Sequence, residues 1–353
     1  MEATGVLTRL GSSMRLRRVD SIQVAVITAL LLFVLFALPA LLSLYWVDTF
    51  TTTGIYAIPA LGLGLLAGRV GMISLGQVAV LALGAWVGAK LCFSTTLPYP
   101  IVLLGSGLIT MVLGTLIGLP ALRVSGLYLA LITLMLAGAI NVVLSVTNFP
   151  NGGTGFLGYN DNYPGTVRRP SIAMSDPAFF RYSVIVALLM FLLVLWHLRS
   201  KPGRAWAAIR QSEPAALTAG VNVTVYKMWA FALASFVTGV AGALLGSSAG
   251  KLYNYSFPTY QSIELFAVVL MAGIYTLWGA ILAAALLWIL PALFTLWGIN
   301  AQIPVILFGI GVLQVLTTAP AGIAHQFPRD MARLGRLLFG LARRLAPSAG
   351  RTS

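Results

Sequence analysis

Long apolar runs, broken by short polar ones, set the pattern of this chain. The runs are continuous over about 18–25 residues, enough for a helix to cross the roughly 30 Å hydrocarbon layer of a bilayer. They lack the two-residue alternation of a barrel strand, so the backbone must bond to itself within helices. The pattern predicts an all-α, polytopic helical membrane protein of about ten segments, some short or broken. These fall at 22–46, 52–68, 73–92, 99–119, 126–146, 179–198, 228–248, 262–274, 276–293 and 303–320. The chain divides into a tail over 1–20, a transmembrane domain over 21–323 and a second tail over 324–353. Within the domain, 147–178 and 199–227 are the long polar loops. The first apolar run, Ser21 to Trp46, is too long for a signal-peptide core and is expected to stay as a span.

Two stretches are irregular. Ser262 to Pro291 would be about 45 Å long as one helix, too long for the hydrocarbon layer. A break near Gly273-Ile274-Tyr275 turns it into two short passes. Arg69-Val-Gly-Met-Ile-Ser-Leu-Gly-Gln77 is polar enough to interrupt a helix at membrane depth, where irregular backbone tends to line a cavity. The glycines around it, including the GxxxG of Gly84-Ala-Trp-Val-Gly88, read first as close helix packing.

Composition agrees: 59% of residues are hydrophobic and 8% charged, against about 25% charged in soluble domains. The net charge of +14 raises nucleic acid as a partner, but the basic residues sit between apolar runs and at both ends. With the N-terminus in the cytoplasm, alternation places Arg9, Arg15, Arg17, Arg18, Arg69, Arg123, Arg199, Lys201, Arg204, Arg210, Lys227 and the basic C-terminal tail inside. Only Lys90, Arg168, Arg169, Arg181 and Lys251 fall outside, as the positive-inside rule requires. Cys92 is the single cysteine, so no intrachain disulfide and no metal-type spacing exist, and His197 and His325 both flank apolar segments.

Candidate chemistry is sparse. Gly250-Lys251 is followed by Leu252, and Gly246 is one residue too close, so no phosphate-cradling GxxxxGK[ST] loop is present. Gly153-Thr-Gly-Phe-Leu-Gly158 spells a dinucleotide fingerprint without its strand or helix, in a loop expected outside and rich in turn residues. No catalytic or metal-ligating set emerges. Of the eight carboxylates, Glu264 alone lies in an apolar span, which makes it a candidate pathway residue with an interfacial reading beside it. Ser74, Gln77, Thr133, Asn141 and Thr238 are polar span residues that either face a central path or bond across helices. A secondary carrier would need more intramembrane carboxylates, and a membrane transferase would need clustered His, Asp or Glu.

One polar island remains, Gly203 to Lys227. Gly203 to Gln211 reads as a short helix with Trp206, Ile209 and Arg210 on one side. Ser212 or Glu213 caps a second turn with Pro214 near its start, Ala215 to Ala219 continues it, Gly220 ends it, and Thr224 is placed to cap the next span. The pair suits docking into a groove on another protein, or lying as an amphipathic helix on the lipid surface.

Glu213-Pro-Ala-Ala-Leu-Thr-Ala-Gly220 resembles the E-x-A-A-x-x-x-G core of the loop by which ABC importer permeases engage their ATPases. With its flanks, Gly203-Arg-Ala to Ala208-Ile-Arg and Gly220-Val-Asn-Val to Lys227, the run is similar to the LivM-type permeases of branched-chain amino-acid importers. Ser74-Leu-Gly76, Gly126-Leu-Tyr-Leu-Ala130 with Thr133-Leu134, Ala241-Gly-Ala-Leu244 and Ser262-Ile-Glu-Leu265 extend the resemblance over about residues 55 to 323. It implies a bacterial inner-membrane assembly of this chain with a second, paralogous permease subunit, two cytoplasmic ATPases and an extracytoplasmic binding protein. ATP would be used by the partners, with no cofactor on this chain. Arg204, Arg210, Glu213, Ala215, Ala216 and Gly220 would be the ATPase-coupling residues. The chain departs from the family at Gln77, where His is common. It also has Tyr275 and Ala280 where a glycine and a proline are usual. Related permeases for urea, amides or aromatic acids leave the substrate open.

Overall fold

A computed structural model describes residues 32–119, 126–162, 165–300 and 303–318, and these contain helices but no strand. Among the described residues, seven helices are long and apolar enough to cross a membrane. They are α1 (Leu44–Leu63, continued to Val70 by a π-helical stretch), α2 (Gln77–Ser94), α3 (Tyr99–Gly118), α4 (Leu127–Thr147), α5 (Asp176–Arg199), α8 (Val223–Ala249) and α10 (Leu277–Leu296). The polar helices α6 (Lys201–Gln211) and α7 (Glu213–Thr218) join α5 to α8, and the shorter apolar α9 (Tyr260–Gly273) and α11 (Ile303–Thr318) flank α10.

The core forms around α8, which packs on α3, α2 and α1. Lipid offers no hydrophobic drive between helices, so close contact has to come from small residues. A Cβ on Gly84 would meet the Gly239 backbone at 2.5 Å, and one on Gly88 would meet the Ala243 side chain at 2.6 Å. Gly242 in turn lies against the Leu81 carbonyl. The expected GxxxG thus forms a glycine seam between α2 and α8. Ser106 Oγ crosses this seam from α3, donating toward the carbonyls of Gly84 (2.8 Å) and Gly239 (3.2 Å). The α1 and α8 spans are mostly enclosed, whereas α4 and α10 turn most of their apolar surface outward.

The two irregular stretches are interrupted as the sequence predicts. The π-helical end of α1 stops at Gly71 (φ 87°), and 71–76 is non-helical, so the second of these spans starts at Gln77 rather than 73. Between α9 and α10, Gly273 has φ 127° and Thr276 Oγ1 accepts from Gly279 N at 3.0 Å, capping α10. The first span departs from expectation. Of 22–46, the described part is helical over Phe33–Leu41, but Leu42 and Ser43 are extended, and Leu44 to Trp46 already belong to α1. Leu42 is as apolar as its neighbours, so hydropathy does not register this break.

Two clusters mark opposite ends of the bundle. At one, Arg169 pairs with Asp176 at 2.6 Å, Lys90 Nζ donates to the Gly155 carbonyl, and Val167 N to that of Gly250. The Gly153–Gly158 motif closes on itself here, Gly153 N donating to the Gly158 carbonyl at 3.0 Å. The other end holds the C-termini of α1 and α5 and all of α6 and α7. Among the described residues, Arg69, Arg199, Lys201, Arg204, Arg210 and Lys227 gather at this second end, separate from the basic residues expected outside. Arg123, His325 and both basic tails lie outside the described residues.

Candidate coupling site

The chain turns from α5 into α6 through Ser200 in extended conformation and Pro202 in the first turn. Gly203 rests on the Leu198 carbonyl, leaving no room for a methyl group. Glycine is required for that reversal. Ala205, Trp206 and Ile209 of α6 are buried. Trp206 is fully enclosed and its Nε1 donates to the Tyr226 carbonyl at 2.8 Å, tying α6 to the first turn of α8. Trp206 and Ile209 share the inward side, as their spacing predicts. The Arg210 guanidinium also reaches inward, donating to the Gly68 carbonyl and lying 4.4 Å from the centre of the Tyr275 ring.

Ser212 separates the two helices and is the N-cap of α7, its Oγ accepting from Ala215 N at 3.4 Å. Pro214 occupies the first turn. Gly220 ends the segment at φ 81°, with Val221 N bonded to the Ala216 carbonyl and Gly220 N to that of Leu217. This is a Schellman close, for which glycine is the favoured residue. The next cap is Asn222, whose Oδ1 accepts from Val225 N at 3.2 Å, and not Thr224. Asn222 keeps an extended ψ of 93°, whereas Thr224 lies inside α8.

The alanines do not present one surface. Ala216 is buried against the chain itself while Ala215 is exposed. Leu217, an exposed apolar side chain beside Ala215, is a feature that the motif does not mark. Arg204 and Arg210 are both exposed as residues, but of the two only Arg210 is drawn inward by its bonds. Glu213 is half exposed and pairs with Lys227 at 2.6 Å, the lysine side chain being only 9% exposed. Lys227 was legible as a lone cation in the first turns of an apolar helix, but nothing in the spacing names Glu213 as its partner.

The candidate pathway residues divide. Gln77 Nε2 donates to Thr238 Oγ1 at 3.1 Å, both buried, beside Gly62, where a Cβ would come within 2.7 Å of that nitrogen. Thr133 Oγ1 accepts from Leu75 N and donates to the Ala130 carbonyl. Ser74, Gln77 and Thr133 line one crevice of ≈ 20 Å³ at the non-helical 71–76 stretch. Asn141 lies apart, donating to the Phe257 carbonyl at 2.6 Å and lining a second, narrower crevice with Ser262. Glu264 is partly buried on α9 and lines neither. Among the described residues no cluster of His, Cys, Asp and Glu could hold a metal ion.

The family whose model matches residues 45–316, from α1 through α11, is described as the branched-chain amino acid transport system permease component. The chain belongs to this permease family. Two relatives are high-affinity branched-chain amino acid transport system permease proteins LivM. That of Salmonella typhimurium LT2 is 33% identical over 283 residues, 73% of this chain and 65% of the relative. That of Escherichia coli K12 is 32% identical over 277 residues, 71% of this chain and 64% of the relative. The match therefore spans a little under two thirds of these relatives' length. No solved structure matches the chain. The matched residues include all of α6 and α7.

Proposed function

We propose that this chain is a membrane-spanning subunit of an ABC importer for branched-chain amino acids or a similar small polar substrate. It works by alternating access, powered by ATP hydrolysed on separate ATPase subunits that seat on α6 and α7. It pairs with a second permease subunit and receives substrate from an extracytoplasmic binding protein. The α6–α7 end faces the cytoplasm together with both chain termini, and the Lys90–Arg169 end faces outward.

One observation carries this reading. The apolar side of α6 is already used: Trp206 and Ile209 are buried in the chain's own core. A helix lying on lipid keeps that side free for the membrane. The outward residues of α6 and α7 include Lys201, Arg204, Gln211, Glu213, Ala215 and Leu217, a polar rim around a small apolar spot. Such a surface fits a protein groove better than a bilayer. The same contacts hold the pair rigidly, as a force-bearing element requires.

The test is co-purification and uptake with Glu213→Lys and Gly220→Asp. Both variants are expected to insert, yet to lose the ATPase or uncouple uptake from hydrolysis. Unchanged uptake together with normal ATPase recovery would rule the coupling role out. The orientation is checked by a reporter fused after Ser353, which should score cytoplasmic.

A further inference from the structure

We infer that Arg210 works inward: it is a positioning residue that couples α6 to the turn between α9 and α10, not a contact for the ATPase. The inference rests on the importer reading above and separates Arg210 from Arg204, Glu213 and Ala215, which keep their outward role. Three backbone segments meet at its guanidinium. The first is the π-helical end of α1, whose Gly68 carbonyl accepts the hydrogen bond. Such stretches leave carbonyls without regular partners and recur at functional sites. The second is α6 itself, and the Arg210 stem passes Gly71, where an added Cβ would lie 3.7 Å from Cγ. The third is the Gly273–Thr276 turn, whose Tyr275 ring receives the cation on its face.

The junction is close and has few degrees of freedom. Gly68 lies against the Ile274 carbonyl with no room for a methyl group, and Gly279 lies likewise against that of Gly273. Arg69 lines the same crevice as Tyr275, and no carboxylate among the described residues pairs with either arginine. The site therefore holds its cation with a carbonyl and an aromatic face, a planar arrangement that suits guanidinium over ammonium. Beyond the turn, α9 carries Gln261, Ser262 and Glu264, and Gln261 Nε2 donates to the Tyr56 hydroxyl at 3.3 Å. A displacement of α6 thus reaches α9 through one side chain. The turn is held here by an aromatic contact that a smaller side chain at 275 could not make.

The experiment uses the chain with its partners in proteoliposomes. Arg210→Ala and Tyr275→Leu are each expected to lower uptake per ATP hydrolysed by about tenfold, within the range of ordinary coupling energies, while the ATPase still co-purifies. The double variant should be no worse than the more affected single variant, because both remove one contact. Tyr275→Phe, which keeps the ring, should stay within about twofold of the wild type, and Arg210→Lys should restore little. Amide exchange over residues 273–277 should rise about tenfold in Arg210→Ala, a readout that loss of an ATPase contact does not predict. Full uptake in Tyr275→Leu, multiplied losses in the double variant, or loss of the ATPase from Arg210→Ala alone would each overturn the inference. Failure of the wild-type chain to bring down any ATPase would overturn the importer reading instead, and the exchange measurement would then decide the Arg210 contact by itself.

Discussion

Trp206→Ala removes the largest side chain that fixes α6. The indole is fully enclosed and donates to the Tyr226 carbonyl at 2.8 Å. Truncating a buried Trp costs about 3–5 kcal/mol, and the lost hydrogen bond adds about 1 kcal/mol. Each 1.4 kcal/mol is about tenfold in an opening equilibrium, so local opening of α6 should rise at least a hundredfold. Trp206→Phe keeps most of the apolar contact and loses the bond, so its increase should stay near tenfold. Amide exchange read by mass spectrometry over residues 201–220 measures this, with α2 as the internal reference. The reasoning is refuted if exchange over 201–220 stays within tenfold of wild type in Trp206→Ala. An equal increase in α2 refutes it too, since that would mean that Trp206 supports the whole bundle and not the coupling pair.

Further expectations concern charge, packing and backbone. Glu213→Ala leaves Lys227, 9% exposed, without its partner. The cost should be about 1–2 kcal/mol after allowance for the half-exposed carboxylate. Thermal unfolding in detergent should therefore show a lower Tm for Glu213→Ala than for Glu213→Ala/Lys227→Met, and equal values would contradict the pair. Gly84→Val drives a side chain into the Gly239 backbone, and should abolish accumulation of folded protein by size-exclusion profile, whereas Gly138→Val, with open space around it, should not. Gly220→Val strains a φ of 81° by about 1–2 kcal/mol and should raise proteolysis between α7 and α8 without changing the α2–α8 contacts.

The parts of the fold that were legible are those marked by residues with special backbone demands. The Arg69–Gln77 stretch is polar enough to interrupt a helix and Gly71 marks its stop, whereas the Ser262–Pro291 run exceeds the bilayer and breaks at Gly273. Ser212, Pro214 and Gly220 mark the ends of α7 in the same way. The break at Leu42–Ser43 was not legible, because an extended Leu is as apolar as a helical one. The cap of α8 is not legible because Asn222 and Thr224 are both good capping residues, and only the backbone at Asn222 decides between them. At the site, sequence distinguished the inward Trp206 and Ile209 by spacing. It did not separate Ala215 from Ala216, since neighbouring residues on so short a helix differ only in what lies beneath them. The partners of Gln77, Glu213 and Arg210 are Thr238, Lys227 and Gly68 with Tyr275. None lies within helical reach of its partner, so periodicity carries no trace of them.

The glycine seam also has a consequence for how the chain is made. Gly84 is made before Gly239, which follows about 150 residues later, roughly ten to thirty seconds at ordinary synthesis rates. Until then α2 has a bare groove and a Gln77 amide without Thr238 to receive it. The nascent segment ahead of α8 is thus expected to be a vulnerable intermediate, open to wrong neighbours. Arrival of α8 completes it in one step. Substitutions on the lipid-facing side of α4 leave that waiting period unchanged. Those in the seam keep α8 from closing on α2 when it arrives, and their first symptom should be loss of protein during biogenesis rather than loss of activity in what survives.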